Sequence, residues 1–574
     1  MNVSIFARFP HLIGVGTIVA LVCGLYVPFL GNPPVFDDQF LFSGQRFLYY
    51  ATHPFGLELR VPPYFSFAVV QVLSGQMEAH RILSLAFHIA CSLALYKLLY
   101  DLLRAVRWPD PLAPASCTQP QAATWACIGA AAFAVHPVAV YGAGYLIQRS
   151  IVLATLFSLL SLILFVRGLV RRSYADAIFA ALMFSIAVLC KEHSVLLPAV
   201  AVLAAPLLMS ERRFAIRHAA IYLVACVPAA IFVVLLQKGV IGVAYEPEFG
   251  SVAAQIGGSF GDQIANFPWS MSAVTQAGLF FKYLSLWLWP NTQAMSVDIR
   301  VDFLETWSPG WIVLKISAFA AFGALGFLFL RRRGRMGLVG FGMLYTWVFF
   351  LVEFSTTRIQ EPFVLYRSYL WAPGILLALV ALLNGVPRRA ALAAFAFVCA
   401  ALLYQAHDRL VTFSNPLALW KDAIAKVPDK PVPWGSRVLF NLARAYALDG
   451  QPDKAGETVK RCLAQYPDTY DCYFARGALY LQTEEFDLAR TYLDRAISLK
   501  PESGIAHHRL GLVFENLGRI EDAKASYRRA SELGYKGAEQ EISRLESPGR
   551  GLLPPGKRTP APKTTRGAPE MSSP

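Results

Sequence analysis

Apolar residues run in long, almost unbroken stretches through the first 405 positions and in short periodic groups after position 434. A helix needs about 20 mostly apolar residues to cross the roughly 30 Å hydrocarbon core of a bilayer. Stretches of that order predict about eleven spans, at 12–30, 80–103, 122–141, 150–167, 175–190, 193–209, 218–236, 310–330, 337–353, 368–385 and 390–405. One further stretch, Gln276 to Trp289, is amphipathic and carries Phe280, Phe281, Tyr283, Trp287 and Trp289. That pattern predicts an interfacial or re-entrant helix, because aromatic rings favour the headgroup zone.

The pattern after position 434 has a different period. Leu442, Ala443, Tyr446, Ala455, Cys462 and Pro467 recur 34 residues later as Arg476, Gly477, Tyr480, Ala489, Ala496 and Pro501. They recur again as Leu510, Gly511, Phe514, Ala523 and Ala530. Small residues let paired helices approach, aromatics fill the gap, and a proline closes the second helix, which is the tetratricopeptide pattern. The predicted organisation is all-α. A multi-span membrane domain covers 1–405, with large outer loops at 31–79 and 237–309, and a connector follows at 406–433. The tetratricopeptide solenoid covers 434–547, with repeats at 436–469, 470–503 and 504–537. The segment from Asp408 to Pro433 reads equally as a degenerate further repeat. The tail at 548–574 is basic and Pro-rich, a composition too poor in apolar residues to hold a fold.

Composition removes several classes of function. The chain of 574 residues is 56% hydrophobic and only 16% charged, with a mean hydropathy of +0.45, which excludes an ordinary soluble protein of this size. The net charge of +14 would suit nucleic acid, but much of the excess lies between apolar runs. Arg104/Arg107, Arg167/Arg171/Arg172, Arg212/Arg213/Arg217, Arg331/Arg332/Arg333/Arg335 and Arg388/Arg389 read as cytoplasmic topology signals, so no nucleic-acid partner is expected. Counting eleven spans from a cytoplasmic N-terminus places both large loops and the repeats on the other side. The expected location is the inner (cytoplasmic) membrane, multi-pass, with the repeats in the periplasm. His11 to Leu30 reads as the first anchor rather than a cleaved signal. Six of the nine cysteines lie inside apolar segments, and none has metal-ligand spacing. Cys462 and Cys472 lie in the repeats and are free to pair if that compartment is oxidising.

Ionisable residues at span ends are costly to place and so mark candidate chemistry. Phe36-Asp37-Asp38 follows the first span and offers a general base, with or without a divalent cation; an acidic solvated turn is the other reading. Lys191-Glu192-His193 sits between two apolar runs, where Lys191 suits a lipid phosphate held in place by Glu192; a charged hairpin turn looks the same. Gln148-Arg149 beside His136-Pro137, and Arg358, Glu361 and Arg367 before the tenth span, offer phosphate-binding arginines or interface anchors. His80 and His88 suit helix packing better than ligation. No Gly-rich nucleotide loop, nucleophile elbow or zinc motif occurs, so the energy for a transfer reaction has to come with a lipid-borne donor.

Seven segments in a shared order carry a resemblance: FDDQ (Phe36 to Gln39), LRVPPYFSF (Leu59 to Phe67), HRILSLAFH (His80 to His88), AVHPVAVYGAGYLIQRS (Ala134 to Ser150), KEHSVLLP (Lys191 to Pro198), YLSLWLWPNTQAMSVD (Tyr283 to Asp298) and YRSYLWAPG (Tyr366 to Gly374). Together with the repeats they resemble bacterial relatives of the transmembrane and tetratricopeptide-repeat O-mannosyltransferases, within the GT-C glycosyltransferase class. The resemblance implies a GT-C-like bundle and inverting transfer of a sugar from a polyprenyl-phosphate donor to a protein hydroxyl. It implies Asp37 or Asp38 as base and Arg149, Lys191 and Arg367 on the lipid phosphate. Arg60, His88, His136, Glu192 and Glu361 would support them, and the repeat groove would handle the protein acceptor. The chain departs from the family at Tyr366-Arg367, where a Glu-Arg pair is expected; Glu361 or Glu353 is the available substitute. His193 stands where Asn is common. Two other functions fit the same architecture: a membrane-anchored repeat scaffold for envelope or pilus assembly, and a ligase that passes a glycan to lipid or polysaccharide.

Overall fold

The computed structural model describes residues 10–43, 47–54, 56, 58–106, 117–208, 211–237, 267–301, 308–358 and 361–546. The expected tail and much of the loop at 237–309 therefore lie outside the described residues. Regular structure among the described residues is helical apart from an isolated antiparallel bridge between Ile299 and Phe363. The chain forms two compact units, divided in the main between Asn415 and Pro416.

Among the described residues of the first unit, seven helices are long and apolar enough to cross a membrane: His11–Phe29, Met77–Ala105, Leu146–Arg171, Arg212–Leu236, Pro309–Arg331, Gly334–Phe354 and Arg388–Thr412. An eighth span results if Gln119–Ala134 and Pro137–Ala143, bent by 51°, are one. This corrects the expected eleven. The other three are the helices Tyr174–Cys190, Leu197–Leu208 and Ala372–Leu383, of 17, 12 and 12 residues. Twelve residues rise only about 18 Å, well short of the hydrocarbon core. Hydropathy counts apolar residues without regard to where the helix stops. Here the backbone leaves the α-helix at Lys191, which is extended, and continues as the 3₁₀ turn Glu192–Leu196, and a separate 3₁₀ turn, Leu365–Tyr369, precedes the helix Ala372–Leu383. The side assignment that rested on an odd span count falls with it, because seven and eight spans put the repeats on opposite sides.

The amphipathic stretch begins earlier than its sequence pattern suggests, as the 21-residue helix Pro268–Leu288. It acts as a rack for the segment that follows Arg358. Ser272 Oγ accepts from Arg358 N at 2.8 Å, and Gln276 Nε2 donates to Pro362 O at 2.7 Å. Tyr283 Oη both donates to Val364 O and accepts from Val364 N at 2.9 Å, and Trp287 Nε1 donates to Ser368 Oγ at 2.9 Å. Behind this rack, the helices Gly334–Phe350 and Ala372–Leu383 meet through Gly342 and Gly374. A Cβ on Gly342 would come within 2.5 Å of Gly374 O, so only glycine permits that approach.

Two buried arginines hold the other half of the unit. Arg81 donates to Asn32 O at 2.8 Å, Pro33 O at 2.7 Å and Gly144 O at 3.0 Å, tying down the loop after the first span. Arg149 donates from Nε to Ser84 Oγ, from one terminal nitrogen to Ser66 Oγ, and from the other to His80 O, at 3.0, 3.0 and 2.7 Å. Its guanidinium also lies 3.7 Å from the centre of the Phe67 ring. Asn32 Nδ2 donates to Leu410 O at 3.1 Å, so the last long helix ends beside this same loop.

The second unit contains the helix pairs Gly435–Leu448 with Pro452–Gln465, Tyr470–Gln482 with Phe486–Leu499, and Gly504–Asn516 with Ile520–Glu532. Pro416–Ile424 packs on the first pair and Gly537–Glu546 on the last. Buried Ala489, Ala496, Ala523 and Ala530 allow the close approach, with Phe474, Phe514 and Tyr527 between the helices. Cys462 and Cys472 form a disulfide that joins the first pair to the second.

Two changes test these contacts. Arg149→Ala should cost about 3 kcal/mol, since it strands two hydroxyls and a carbonyl in the interior; the loss should appear in thermal melts without any lipid ligand. Cys462→Ser, or a reductant, should destabilise the repeats by about 3 kcal/mol, the loop-closure value for a crosslink of this short span. Circular dichroism melts of the full chain with and without dithiothreitol read that difference.

Candidate functional site

Phe36 turns the chain sharply with φ at 47°, a left-handed value that costs a bulky residue free energy. The turn sends the two following carboxylates to different surroundings. Asp38 is fully buried. Its Oδ1 accepts from Ile147 N at 2.7 Å and its Oδ2 from Leu146 N at 3.3 Å, with Val35 N at 3.5 Å. Burial pushes its pKa up to about 6, against the opposing pull of Arg81 and these backbone donors. Asp38 thus fastens the 35–38 turn to the start of the Leu146–Arg171 span. Asp37 stays partly exposed, and its backbone N–H donates to Tyr145 Oη at 3.0 Å.

The second group of charges is assembled from four separate stretches of chain. Glu353, at 0% exposure, lies in a 3₁₀ turn that ends the Gly334–Phe354 span. Its Oε2 is 2.7 Å from Arg358 Nε and 3.3 Å from a terminal nitrogen of Arg367, and its Oε1 is 3.3 Å from His193 Nε2. The other ring nitrogen of His193 is 3.4 Å from Glu192 Oε1, which Arg60 approaches at 3.3 Å. Arg367 also donates to Glu361 O at 3.1 Å. Arg60 is placed by a left-handed backbone, φ 67°, and by donation of its N–H to Leu189 O at 2.8 Å.

Lys191 completes the group. It is buried, and its ammonium lies 5.9 Å from the centre of the Tyr366 ring. Burial, with repulsion from Arg60, Arg367 and Arg358, pushes its pKa down to about 7 despite the attraction of Glu192. The carboxylate of Asp37 also acts on Tyr366, so this ring sits within the fields of both Lys191 and Asp37. Four cations, Arg60, Lys191, Arg358 and Arg367, thus face the buried carboxylate Glu353, the partly buried Glu192 and, beside Arg367, Glu361. Such an excess favours an anion that reaches them, above all a phosphate, which accepts several charge-assisted hydrogen bonds at once.

The sequence-derived candidates therefore separate. Lys191, Glu192, Arg60 and Arg367 come together, and the carboxylate that replaces the expected partner of Arg367 is Glu353, with Glu361 contributing its carbonyl. Arg149 lies in the other cluster, with all three guanidinium nitrogens donating to protein groups. His88 bridges Tyr369 Oη at 2.7 Å and Ala134 O at 2.9 Å. His136 accepts from Val138 N at 3.2 Å and stacks on Trp287 with ring centres 4.2 Å apart. Arg81 was not singled out from sequence, although a lone arginine inside an apolar span is itself a signal. Of the two arginines on Glu353, Arg358 makes the shorter contact. Among the described residues, no group of three or more His, Cys, Asp or Glu side chains is arranged to hold a metal ion.

Comparison with known proteins identifies the second unit. The tetratricopeptide-repeat family models match residues 437–469, 470–503 and 505–533, so the carboxy-terminal part of the chain is a tetratricopeptide array. Solved structures similar to it include the first tetratricopeptide domain of Spaghetti bound to an HSP90 peptide, at 23% identity over 19% of this chain and 89% of that one, TM-score 0.19. The protein MamA from strain MSR-1 is 25% identical over 22% of this chain and 75% of its own, TM-score 0.19. An oligosaccharyltransferase from Archaeoglobus fulgidus, tethered to an acceptor peptide, is 13% identical over 78% of this chain at a TM-score of 0.37, and this chain spans 59% of its length. No curated protein sequence matches the chain. Likeness at this level leaves the activity to be argued from the site.

Proposed function

We propose that the chain is a membrane glycosyltransferase that moves a sugar from a polyprenyl-phosphate donor to a hydroxyl of a protein acceptor. The observation that carries this reading is the convergence of Arg60, Lys191, Arg358 and Arg367 on Glu192 and the buried Glu353, with Tyr366 beside Lys191. In the proposed reaction the acceptor oxygen forms a bond to the anomeric carbon as the bond from that carbon to the phosphate oxygen breaks. Asp37 takes the hydroxyl proton, and the polyprenyl phosphate leaves with the bonding pair. The negative charge that develops on the leaving phosphate is greater in the transition state than in the bound donor, and prepositioned cations stabilise the difference.

Asp37 is the better base because it stays partly exposed, whereas Asp38 is fully buried. A divalent cation at this pair would have to share Asp38 with its backbone N–H donors. The Arg clusters at 171–172, 212–213, 331–335 and 388–389 lie at the helix ends away from residues 190–193 and 353–367. With the positive-inside tendency, this supports a site on the extracytoplasmic face. The Cys462–Cys472 disulfide fits repeats in an oxidising compartment. The repeats would then select or present the protein acceptor along their concave surface.

Asp37→Asn should abolish glycosylation of extracytoplasmic proteins, read as loss of mass in intact-protein spectra, at normal levels of the variant. Asp38→Asn should instead lower the melting temperature and the amount of folded protein. Unchanged glycosylation in Asp37→Asn would sink the assignment.

The Lys191 pKa sets a second expectation. An anion binds best to the protonated amine, so affinity for geranylgeranyl phosphate should fall above pH 7, by up to about tenfold per unit. Lys191→Arg should flatten that dependence. A titration in detergent between pH 6 and 9 measures it, and a flat wild-type profile counts against the role of Lys191.

A further inference from the structure

His193 is buried in the 3₁₀ turn Glu192–Leu196, and its two ring nitrogens meet charges from different stretches of the chain. Nδ1 is 3.4 Å from Glu192 Oε1. Nε2 is 3.3 Å from Glu353 Oε1 and 3.4 Å from Arg358 Nη2. A guanidinium can only donate and a carboxylate can only accept, so the ring has two ways to be satisfied. With a proton on Nδ1 alone it donates to Glu192 and accepts from Arg358. With a proton on each nitrogen it donates to Glu192 and to Glu353 Oε1, an oxygen that receives no hydrogen bond from any other described residue.

The charge around the ring decides between the two. Arg60, Lys191, Arg358 and Arg367 outnumber Glu192, Glu353 and Glu361, and that excess opposes a further proton. The helices packed against the turn leave the balance as it is. Leu197–Leu208 has no charged residue. Tyr174–Cys190, Arg212–Leu236 and Gly334–Phe350 carry Asp176, Arg212, Arg213, Arg217, His218 and Arg335 at their amino-terminal ends, away from Lys191 and Glu353. Arg149–Arg171 meets the turn through Ser158, whose Oγ is 3.3 Å from Ser194 Oγ. Its Arg149 is held by Ser66, Ser84 and His80, and Arg167 and Arg171 lie toward its other end.

We infer that His193 is a positioning residue that takes a proton when a phosphate monoester binds to the cation cluster, exchanging its contact with Arg358 for one with Glu353. The proton comes from solvent and settles on Nε2; an N–H bond is the only bond that forms. Arg358, no longer donating to the ring, turns a donor toward the incoming phosphate. The reason is electrostatic: an anion among the four cations cancels the excess that kept the proton off, and more charge cancels more of it. A phosphodiester carries one negative charge and a monoester roughly two near pH 7. The site therefore distinguishes a lipid phosphate that has given up its sugar from one that still carries it, and binds the former with the larger proton uptake.

This inference rests on the proposed lipid-phosphate site and is read by proton uptake, without transfer. The full chain in detergent at pH 7.5 is titrated calorimetrically with geranylgeranyl phosphate and with its methyl diester, each in two buffers of different ionisation enthalpy, which counts the protons taken up per lipid bound. Wild type should take up more with the monoester than with the diester. His193→Asn should lower the monoester uptake by about half a proton and leave the diester value almost unchanged. The same pair is compared with Lys191→Arg added to both, which removes the lysine's share. Thermal melts check that each variant folds, and His193→Gln serves where asparagine does not. Equal uptake with and without His193, or equal uptake for the two lipids in wild type, overturns the role of His193 while the phosphate site stands. Failure of wild type to bind the monoester overturns the phosphate site itself, and this role with it.

Discussion

Glu353 carries a carboxylate into a place where nothing of it reaches solvent, and three cationic or ionisable side chains from outside its own turn close around it. A buried charge of this kind is tolerated only when its partners are in place. The converse holds for Arg358 and Arg367, which repel each other and stay side by side because one carboxylate lies between them. Glu353 thus joins the end of one long span to the segment before the helix Ala372–Leu383 and, through His193, to the turn between two short apolar helices. Arg358, Arg367 and His193 are gathered by this one group.

The rest of the membrane unit serves to hold those pieces at one level. The helix Pro268–Leu288 contributes no charge to the cluster; its Ser272, Gln276, Tyr283 and Trp287 fix the backbone from Arg358 to Ser368 through five hydrogen bonds. The three short apolar helices have a related role. At Lys191 the chain leaves the α-helix and turns back into the protein as the 3₁₀ turn Glu192–Leu196. Lys191 is buried at this turn, and burial is the main cause that moves its amine toward neutrality. The buried lysine is a consequence of where the chain unwinds.

Arginine shows how far one residue type can diverge in use. Arg81 donates to three carbonyls and Arg149 to two hydroxyls and a carbonyl, so both act as crosslinks between helices. Arg358 and Arg367 pair with a carboxylate that leaves the group net positive. In the sequence all four are charges near the end of an apolar run. Asp37 and Asp38 diverge in the same way: one residue of separation, and a left-handed Phe36, put one carboxylate inside and leave the other partly exposed.

The repeats, the membrane character of the first 405 residues and the gathering of ionisable groups at span ends were determined by the sequence alone. Each is a local property: a period, an apolar run, or a charge beside one. Tetratricopeptide hairpins bury their core against their neighbours in the chain, so their register was legible in a 34-residue period. What only the tertiary structure decided was which apolar stretches stop short, which arginines are already satisfied, and that Glu353, at the end of an otherwise apolar span, is the partner of Arg367. Those outcomes depend on contacts such as His193 with Glu353 and Arg60 with Glu192, between residues far apart in the chain. A hydropathy pattern reports how much a residue prefers lipid or water, and carries no record of which distant charge will be waiting where the helix ends.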